Sequence, residues 1–292
     1  MTTVLVIGAG FMGSGIAQVC AQTGCRVILM DIDKGALEKA IQGIKWSLGK
    51  FFSKGFLKEA PEACLERITI ATDLNAAAET DWVIEAAFEN EDLKKEIFEE
   101  LDRLAPSHIP LATNTSSIPI SRLAEFTGTP ERVLGLHFFG PVPFMGLVEV
   151  IKGEKTSDEV FNLGADFVKS LGKTPVKVLK DIPGFVMNRI FGAAFRECVD
   201  LVADGIASPE DIDIGMRLGY GWNIGPFEIA DNAGLDTFAR VGETMLALGE
   251  EHLVAKSDLI VKMVSEGRLG KKVGKGFYRY GKDGKKVPWG QE

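Results

Sequence analysis

Residues 3–17 read TVLVIGAGFMGSGIA, an apolar strand that runs through three glycines into a helix of small residues. Each glycine serves a separate purpose at such a junction: Gly8 makes the tight turn, Gly10 lets a pyrophosphate approach the backbone, and Gly13 allows close packing of helix on strand. The start of the helix adds free N–H groups that favour an anion. The stretch therefore predicts the first strand, turn and helix of a dinucleotide-binding fold.

An acid at the end of the second strand supports this prediction. Asp31 closes the apolar stretch RVILMD, eighteen residues after Gly13, where a carboxylate meets the ribose 2′-hydroxyl group of an adenosine. A carboxylate would also repel a 2′-phosphate, so the pattern favours NAD over NADP. A glycine-rich turn alone is weak evidence, because a simple flexible turn can carry the same residues. Strand, glycines, helix and acid together favour an NAD site.

Runs rich in Val and Ile alternate with helical patterns up to about residue 180, which predicts a mostly parallel sheet with helices on both faces. The predicted strands lie near 3–8, 26–31, 67–71, 81–86, 109–113, 132–138, 146–151 and 175–180. The clearest helical patterns cover 12–23, 34–54, 91–104 and 157–171, and later 185–204 and 208–218. With a boundary at Pro183-Gly184, the sequence predicts a Rossmann-type α/β domain over 1–182 and an all-α domain over 183–292.

Composition excludes several classes of protein. A chain of 292 residues that is 46% hydrophobic and 25% charged is globular, and its net charge of −8 disfavours nonspecific nucleic-acid binding. The chain has no apolar run of the roughly 18 to 20 residues that a membrane span requires. Four cysteines without C-x-x-C spacing favour neither a disulfide framework nor a metal site. We therefore expect a cytoplasmic protein without a metal, nucleic-acid or membrane partner.

The stretch LHFFGPVPFMGLVEVI, residues 136–151, places an acid inside an apolar strand. The two-residue period of a strand puts Glu149 on one face with Leu147 and Ile151, where an unpaired carboxylate would be costly. A turn through Pro141 and Pro143 can bring this strand alongside His137. A carboxylate at one imidazole nitrogen fixes the tautomer and leaves the other nitrogen as a base. The sequence predicts a His137–Glu149 pair, with a core histidine and a solvent-facing glutamate as the alternative.

Further polar residues follow the predicted strands at the edge where open α/β sheets bind ligands. Glu89 follows the fourth strand, the segment NTSS at 114–117 follows the fifth, and His137 closes the sixth. Because the carboxyl ends of parallel strands meet at one edge, we expect these residues to share one site with the glycine-rich turn.

Five motifs together resemble those of the L-3-hydroxyacyl-CoA dehydrogenase family, which includes bacterial 3-hydroxybutyryl-CoA dehydrogenases. They are VIGAG-x-MG-x-GIA, NTSS, HFF-x-P-V-P-x-M-x-L-V-E-V, P-G-F-x-x-N-R and G-K-K-x-G-x-G-F-Y, at residues 6–17, 114–117, 137–150, 183–189 and 270–278. They span nearly the whole chain. The resemblance implies NAD-dependent, reversible oxidation of an (S)-3-hydroxyacyl-CoA to a 3-oxoacyl-CoA, a reaction of fatty acid metabolism.

The resemblance also implies roles for single residues. His137 would take the proton from the 3-hydroxyl group, and Glu149 would orient and support His137. The residues implied to hydrogen-bond the substrate oxygens are Ser116 and Asn188. The residues implied to bind NAD are Gly8, Gly10, Gly13, Asp31, Glu89, Lys94 and Lys272. The residues implied to bind coenzyme A lie on the helix after the second strand and are Ser47 and Lys54.

That same helix has a charge pattern consistent with an anionic ligand. Its end and the segment after it concentrate positive charge in an otherwise acidic protein, through Lys45, Lys50, Lys54 and Lys58. An ordinary solvated helix face is the alternative.

Two positions depart from the family pattern. The residue after His137-Phe138-Phe139 is commonly Asn in the family and is Gly140 here, and a common Lys is replaced by Gly146. Each change removes a polar side chain near the expected cleft. We therefore expect a roomier site and a substrate preference shifted away from short 3-hydroxybutyryl chains.

Apolar stripes over residues 185–202 exceed what one face of an appended helical domain needs, which favours an oligomer interface. The resemblance implies a homodimer formed through this domain, and a buried monomeric core is the alternative. Two other functions remain open: an NAD-dependent hydroxy-acid dehydrogenase that acts without CoA, and a non-catalytic NAD-binding relative. The His137–Glu149 pair argues against both, and the basic helix argues against the first.

Overall fold

The computed structural model describes residues 1–287 of the chain. The chain divides into two compact units, the first spanning Met1–Phe185 and the second beginning at Val186. This division lies close to the Pro183-Gly184 boundary that the sequence indicates. Within residues 1–287, none of the helices combines the length and apolar character that crossing a membrane requires.

The first unit is built on one eight-stranded sheet, and all eight predicted strands are confirmed. The strands are β1 Thr3–Ile7, β2 Arg26–Met30, β3 Ile68–Ala71, β4 Trp82–Glu85, β5 Leu111–Thr113, β6 Val133–Phe138, β7 Leu147–Ile151 and β8 Thr174–Val178. Their order is β3-β2-β1-β4-β5-β6-β7-β8. Six of the seven neighbouring pairs are parallel, and only β6 and β7 are antiparallel. From β1 the chain adds β2 and β3 on one side and then β4 to β8 on the other. The topological switch point, where such sheets bind ligands, therefore lies between β1 and β4.

Six helices connect these strands. They are α1 Phe11–Gln22, α2 Lys34–Ser53, α3 Pro61–Leu65, α4 Glu91–Leu104, α5 Ile120–Ala124 and α6 Asp158–Ser170. The four long helical patterns are confirmed to within one residue at each end. The short helices α3 and α5 were not predicted, because five residues carry too little periodicity to distinguish a helical turn from a loop.

The core of the first unit lies between the sheet and helices α1, α2 and α6. Helix α1 is buried along most of its length because its small residues let it lie directly on the strands. Trp82 of β4 stacks on Phe167 of α6, with ring centroids 4.4 Å apart. The four cysteines of the chain are buried as free thiols.

The second unit consists mainly of helices, as the sequence predicts. They are α7 Met187–Ala203, α8 Pro209–Tyr220, α9 Pro226–Ala233, α10 Leu235–Ala247 and α11 Leu259–Ser265, followed by the strands β9 Arg279–Tyr280 and β10 Lys286–Val287. The apolar stripe of α7 serves this unit's own core, because Phe195, Cys198 and Val199 are buried among residues of the other helices. Most of the apolar surplus that the sequence assigns to an interface is therefore used inside the unit.

Two fully buried aspartates attach the C-terminal segment to these helices. Asp231 of α9 accepts hydrogen bonds from the backbone N–H groups of Phe277 and Tyr278 and from the Tyr280 hydroxyl group, each at 2.9 Å. The Tyr278 hydroxyl group donates to Asp213 of α8 at 2.7 Å. The motif over 270–278 thus has a structural function in holding the second unit together.

Candidate active site

The glycine-rich turn has the geometry that a pyrophosphate site requires. Gly8 has a φ of 98°, and a Cβ atom there would lie 2.5 Å from the carbonyl oxygen of Ala86. A Cβ atom on Gly13 would lie 1.8 Å from the carbonyl oxygen of Gly8, so the first turn of α1 packs directly on the end of β1. Gly10 differs from both, because no heavy atom of the described chain lies within 4 Å of the Cβ position it would have. The open side of Gly10 leaves the N–H groups at the start of α1 accessible to an anion.

Asp31 lies directly after β2 and stabilises this turn. Its Oδ2 atom accepts a hydrogen bond from the Ala9 N–H group at 2.7 Å, and its Oδ1 atom accepts one from the Asp33 N–H group at 3.0 Å. The carboxylate is half-buried, and each oxygen retains a further lone pair for a ribose hydroxyl group. Its position beside the turn is compatible with the predicted ribose contact.

Glu89 and Lys94 belong to a buried ion-pair network that the sequence analysis only partly anticipated. Lys94 of α4 is fully buried, and its Nζ atom lies 2.6 Å from Glu85 Oε1 and 3.3 Å from Glu89 Oε2. Glu85, at the end of β4, also accepts hydrogen bonds from the Thr113 hydroxyl group at 2.6 Å and from the Ala87 N–H group at 2.7 Å. The Lys94 ammonium group therefore holds two carboxylates at the ligand edge of the sheet.

Glu89 connects this network to the NTSS segment. Its Oε1 atom accepts hydrogen bonds from the hydroxyl groups of Thr115 at 2.5 Å and Ser117 at 2.8 Å, and from the Ser116 N–H group at 3.2 Å. Burial alone would raise the pKa of Glu89, but the charge of Lys94 and the two hydroxyl groups outweigh it and hold this pKa below its ordinary value. The Ser116 side chain is exposed next to the carboxylate, as a substrate contact requires.

His137 and Glu149 face each other across the antiparallel pair β6 and β7. The register pairs the two residues directly, and Nδ1 of His137 lies 2.8 Å from Oε2 of Glu149. Glu149 is fully buried and His137 nearly so. The rings of Phe139 and Phe185 flank the imidazole with centroids 4.7 and 5.6 Å away. The predicted contact is therefore present, and the solvent-facing alternative for Glu149 is wrong.

The turn that joins β6 to β7 is tightly held. The ammonium group of Lys173 donates hydrogen bonds to the carbonyl oxygens of Val142 at 2.7 Å and Met145 at 2.6 Å. Burial lowers the pKa of Lys173 below its ordinary value. The space beside Gly146 is open within the described chain, but a Cβ atom on Gly140 would lie 2.7 Å from Cε1 of Phe11. The Phe11 ring therefore lies beside Gly140, and the expectation of a roomier site stays a prediction.

Ser47 lies on α2 and Lys54 caps its C-terminal end seven residues later, with Lys50 between them at the helical spacing. Beyond this stripe is a groove of about 600 Å³. The residues that line it include the aromatic Phe51, Phe56 and Phe144, and Lys58. The first unit therefore offers positive charge and apolar surface next to each other.

Two predicted site residues belong to the second unit. Asn188 is the second residue of α7, and its side chain is exposed. The Lys272 ammonium group lies 2.6 Å from both carboxylate oxygens of Asp236, so this lysine has an intramolecular partner.

Glu85 was not predicted from the sequence, although a signal for it was present. Glu85 ends the apolar strand WVIE, so an acid lies in a buried strand there just as it does at Glu149. Asn114 was identified only as part of its motif, whereas its Oδ1 atom accepts a hydrogen bond from the Phe138 N–H group at 2.8 Å and so links β5 to the residue after His137.

Comparison with known proteins gives consistent matches along the chain. Residues 3–182 match the family described as 3-hydroxyacyl-CoA dehydrogenase, NAD binding domain, and residues 184–280 match the C-terminal domain of the same family. A probable 3-hydroxybutyryl-CoA dehydrogenase of Deinococcus radiodurans is 45% identical over 94% of this chain and 99% of its own length. The human mitochondrial hydroxyacyl-coenzyme A dehydrogenase is 45% identical over 95% of this chain and 90% of its own. The crystal structure of an (S)-3-hydroxybutyryl-CoA dehydrogenase from Ralstonia eutropha superposes with a TM-score of 0.90 at 42% identity, covering 97% of this chain and 100% of that one.

Proposed function

We propose, from the premise that the chain belongs to the 3-hydroxyacyl-CoA dehydrogenase family, that His137 and Glu149 carry out its proton transfer. The chain is an NAD-dependent 3-hydroxyacyl-CoA dehydrogenase of the 3-hydroxybutyryl-CoA type. The observation that supports the proposal is the buried contact of 2.8 Å between the imidazole and the carboxylate at the ligand edge of the sheet.

The proton transfer follows from the orientation of the imidazole. With Nδ1–H donating to Glu149, the lone pair of Nε2 is available to take the proton of the substrate 3-hydroxyl group. The imidazolium that forms is stabilised by the Glu149 carboxylate, which is already in contact and needs no reorganisation. In the reverse direction, protonated His137 returns the proton to the 3-oxo oxygen. Bound NAD supplies the hydride acceptor.

The cofactor site follows from the glycine-rich turn and its neighbours. We assign Gly10 and the start of α1 to the pyrophosphate, and Asp31 to the adenosine ribose. Gly8 and Gly13 shape the turn. Glu89 borders the cofactor, and Lys94 acts on the site through Glu89, because its ammonium group is buried between two carboxylates. Lys272 is proposed as a cofactor contact from the family resemblance alone.

Four residues are proposed to contact the acyl-CoA. Ser116 and Asn188 are proposed to hydrogen-bond the substrate oxygens, and Ser47 and Lys54 to hold the coenzyme A. The stripe on α2 supports the second assignment, since phosphates favour clustered lysines and the adjacent groove offers apolar surface to the rest of the molecule. The division of function between an NAD-binding domain over 1–182 and a substrate and dimerisation domain over 183–292 is part of the same proposal.

A substitution series tests the dyad. His137→Gln should lower turnover with acetoacetyl-CoA and NADH by about 10²- to 10⁴-fold, the range for loss of a general acid or base, and leave NADH affinity near that of the wild type. Glu149→Gln should act in the same direction, because it removes the group that orients the imidazole. Near-normal turnover of the His137 variant would refute the assignment.

The substrate choice is tested separately. Activity with acetoacetyl-CoA but not with free acetoacetate would support CoA recognition, and activity with the free acid would favour a dehydrogenase that acts without CoA. A comparison of kcat/KM across acyl chain lengths tests the predicted shift away from short chains, which now depends on the open space at Gly146. A sharp optimum at the four-carbon thioester would contradict it.

The homodimer and the cytoplasmic location are also proposals. Exposed apolar residues of α8, Ile214, Leu218 and Tyr220, support an interface with a second copy of the chain. Cell fractionation would test the location.

A further inference from the structure

Phe11 is a large apolar side chain exposed at the start of the cofactor-binding helix. It directly follows Gly10, is the first residue of α1, and is 69% exposed. A single exposed ring is ordinary on a protein surface. This ring, however, contacts a second element of the site.

The second element is the turn after β6, which packs on the first part of α1. The Cβ position of Gly140 lies 2.7 Å from Cε1 of Phe11 and 3.5 Å from Sδ of Met12. One helical turn further along, the Cβ position of Gly15 lies 2.9 Å from Cβ of Val142. The absence of a side chain at Gly140 thus lets the Phe11 ring lie against the turn that leaves the His137 strand.

The position of the ring relative to NAD follows from the topology. Asp31, beyond β1 on the β2 side, marks the adenosine half, and the start of α1 marks the pyrophosphate. The nicotinamide half therefore extends to the opposite side, toward β4, β5 and β6. Gly140 follows β6 by two residues, so Phe11 points from the pyrophosphate site toward the nicotinamide side.

We propose that Phe11, seated on Gly140, is a positioning residue that forms an apolar wall for the nicotinamide half of NAD. Binding would cover the exposed ring, and the ring would limit the sideways movement of the nicotinamide beside His137. Gly140 contributes by leaving room for the ring. The proposal requires NAD binding by the first unit but not the catalytic assignment of His137 and Glu149.

The test compares NADH with ADP-ribose, which lacks the nicotinamide ring. Phe11→Ala should raise the dissociation constant for NADH about 5-fold, since an aromatic packing contact is lost, and change that for ADP-ribose less than 2-fold. Gly140→Ala should weaken NADH binding selectively in the same way, because its methyl group displaces the ring. The double variant should bind NADH no more weakly than Phe11→Ala alone, since both changes remove one contact. Phe52→Ala is the matched control, because this ring is also exposed and lies on α2, outside the proposed cofactor site.

Three outcomes would overturn the proposal: unchanged NADH binding in Phe11→Ala, equal losses for NADH and ADP-ribose, or additive effects in the double variant. Phe11→Leu keeps apolar bulk and should recover most of the NADH affinity, which separates a lost wall from a distorted turn. Both ligands are measured by calorimetry, so the result does not depend on turnover. Near-normal turnover of the His137→Gln variant, together with the selective loss of NADH affinity in Phe11→Ala, would count against the dyad and not against this wall.

Discussion

At the scale of single residues, the most consequential groups in the first unit are charges that have been removed from water. Glu85 and Lys94 are fully buried against each other, and Glu149 is fully buried against His137. Such pairs add little net stability compared with apolar residues, because desolvation offsets most of their attraction. Their position at the ligand edge indicates that they fix geometry, Glu85 and Lys94 for Glu89, and Glu149 for the imidazole.

The Glu85–Lys94 pair gives a prediction about stability. Lys94→Met should lower the free energy of unfolding by about 3 to 5 kcal/mol, because it leaves the Glu85 carboxylate buried without its cation. Glu85→Gln in that background should recover part of the loss, since the uncompensated charge is then removed. Urea unfolding of the variants measures both effects, and Lys95→Met, at an exposed lysine of the same helix, is the control. A Lys94 variant as stable as this control would contradict the prediction.

At the scale of secondary structure elements, two glycines of the glycine-rich turn have different functions: Gly13 is needed for packing, and Gly10 leaves room for a ligand. Gly10→Ala should leave the melting temperature nearly unchanged, because its Cβ atom meets no described atom within 4 Å, yet weaken NADH binding at least tenfold by blocking the pyrophosphate approach. Gly13→Ala should instead lower the melting temperature, because its Cβ atom would overlap the Gly8 carbonyl group. Calorimetric melting and NADH titration of the two variants distinguish these effects. Equal thermal destabilisation of both variants would show that Gly10, like Gly13, is needed for packing and is not a position reserved for the ligand.

The segment after α2 gives a prediction about pH. Arg67 holds Glu59 through two hydrogen bonds of 2.6 and 2.7 Å, which lower the pKa of Glu59 to about 2, with Cys64 contributing a third. A folded-state pKa below the unfolded value stabilises the protein above about pH 4.5, and this contribution is lost as the pH falls toward 2.

Glu59→Gln should therefore cost about 1 kcal/mol of unfolding free energy near neutral pH, a small value because the pair is partly exposed. The difference from the wild type should shrink as the pH falls below 4.5. Urea unfolding at several pH values measures it, and Glu62→Gln, at an exposed acid of α3, is the control. A difference independent of pH would mean that Glu59 acts through packing alone.

The elements also show what the sequence could predict. The eight strands could be predicted because each depends on local periodicity. The His137–Glu149 contact could be predicted because one short connection fixes the register of β6 and β7. Glu85 carried the same signal as Glu149, an acid in an apolar strand, but its partner Lys94 comes from another element and could not be identified from the strand alone. Phe11 was not identified, because its contact with Gly140 depends on three-dimensional packing. The ring beside Gly140 was unforeseen for the same reason: a missing side chain indicates free space only if no other residue lies there.

At the scale of the whole molecule, most apolar residues of α7 pack inside the second unit, so the argument for a dimer now depends on α8. Leu218 is 84% exposed, and Ile214 lies one helical turn before it on the same face. Burial of both against a second copy would remove this apolar surface from water, and a two-fold interface would present the same face on each partner.

Leu218→Lys should therefore raise the dissociation constant of the dimer more than tenfold, because it places an unpaired ammonium group in an apolar contact. Sedimentation equilibrium measures this constant, and Leu179→Lys, at an exposed leucine of the first unit, is the control. Melting of the variant at high and low protein concentration separates lost association from lost folding, since only dissociation makes the melting temperature depend on concentration. A wild-type protein that is monomeric at micromolar concentration, or a Leu218 variant that dimerises normally, would show that this face of α8 does not form the interface.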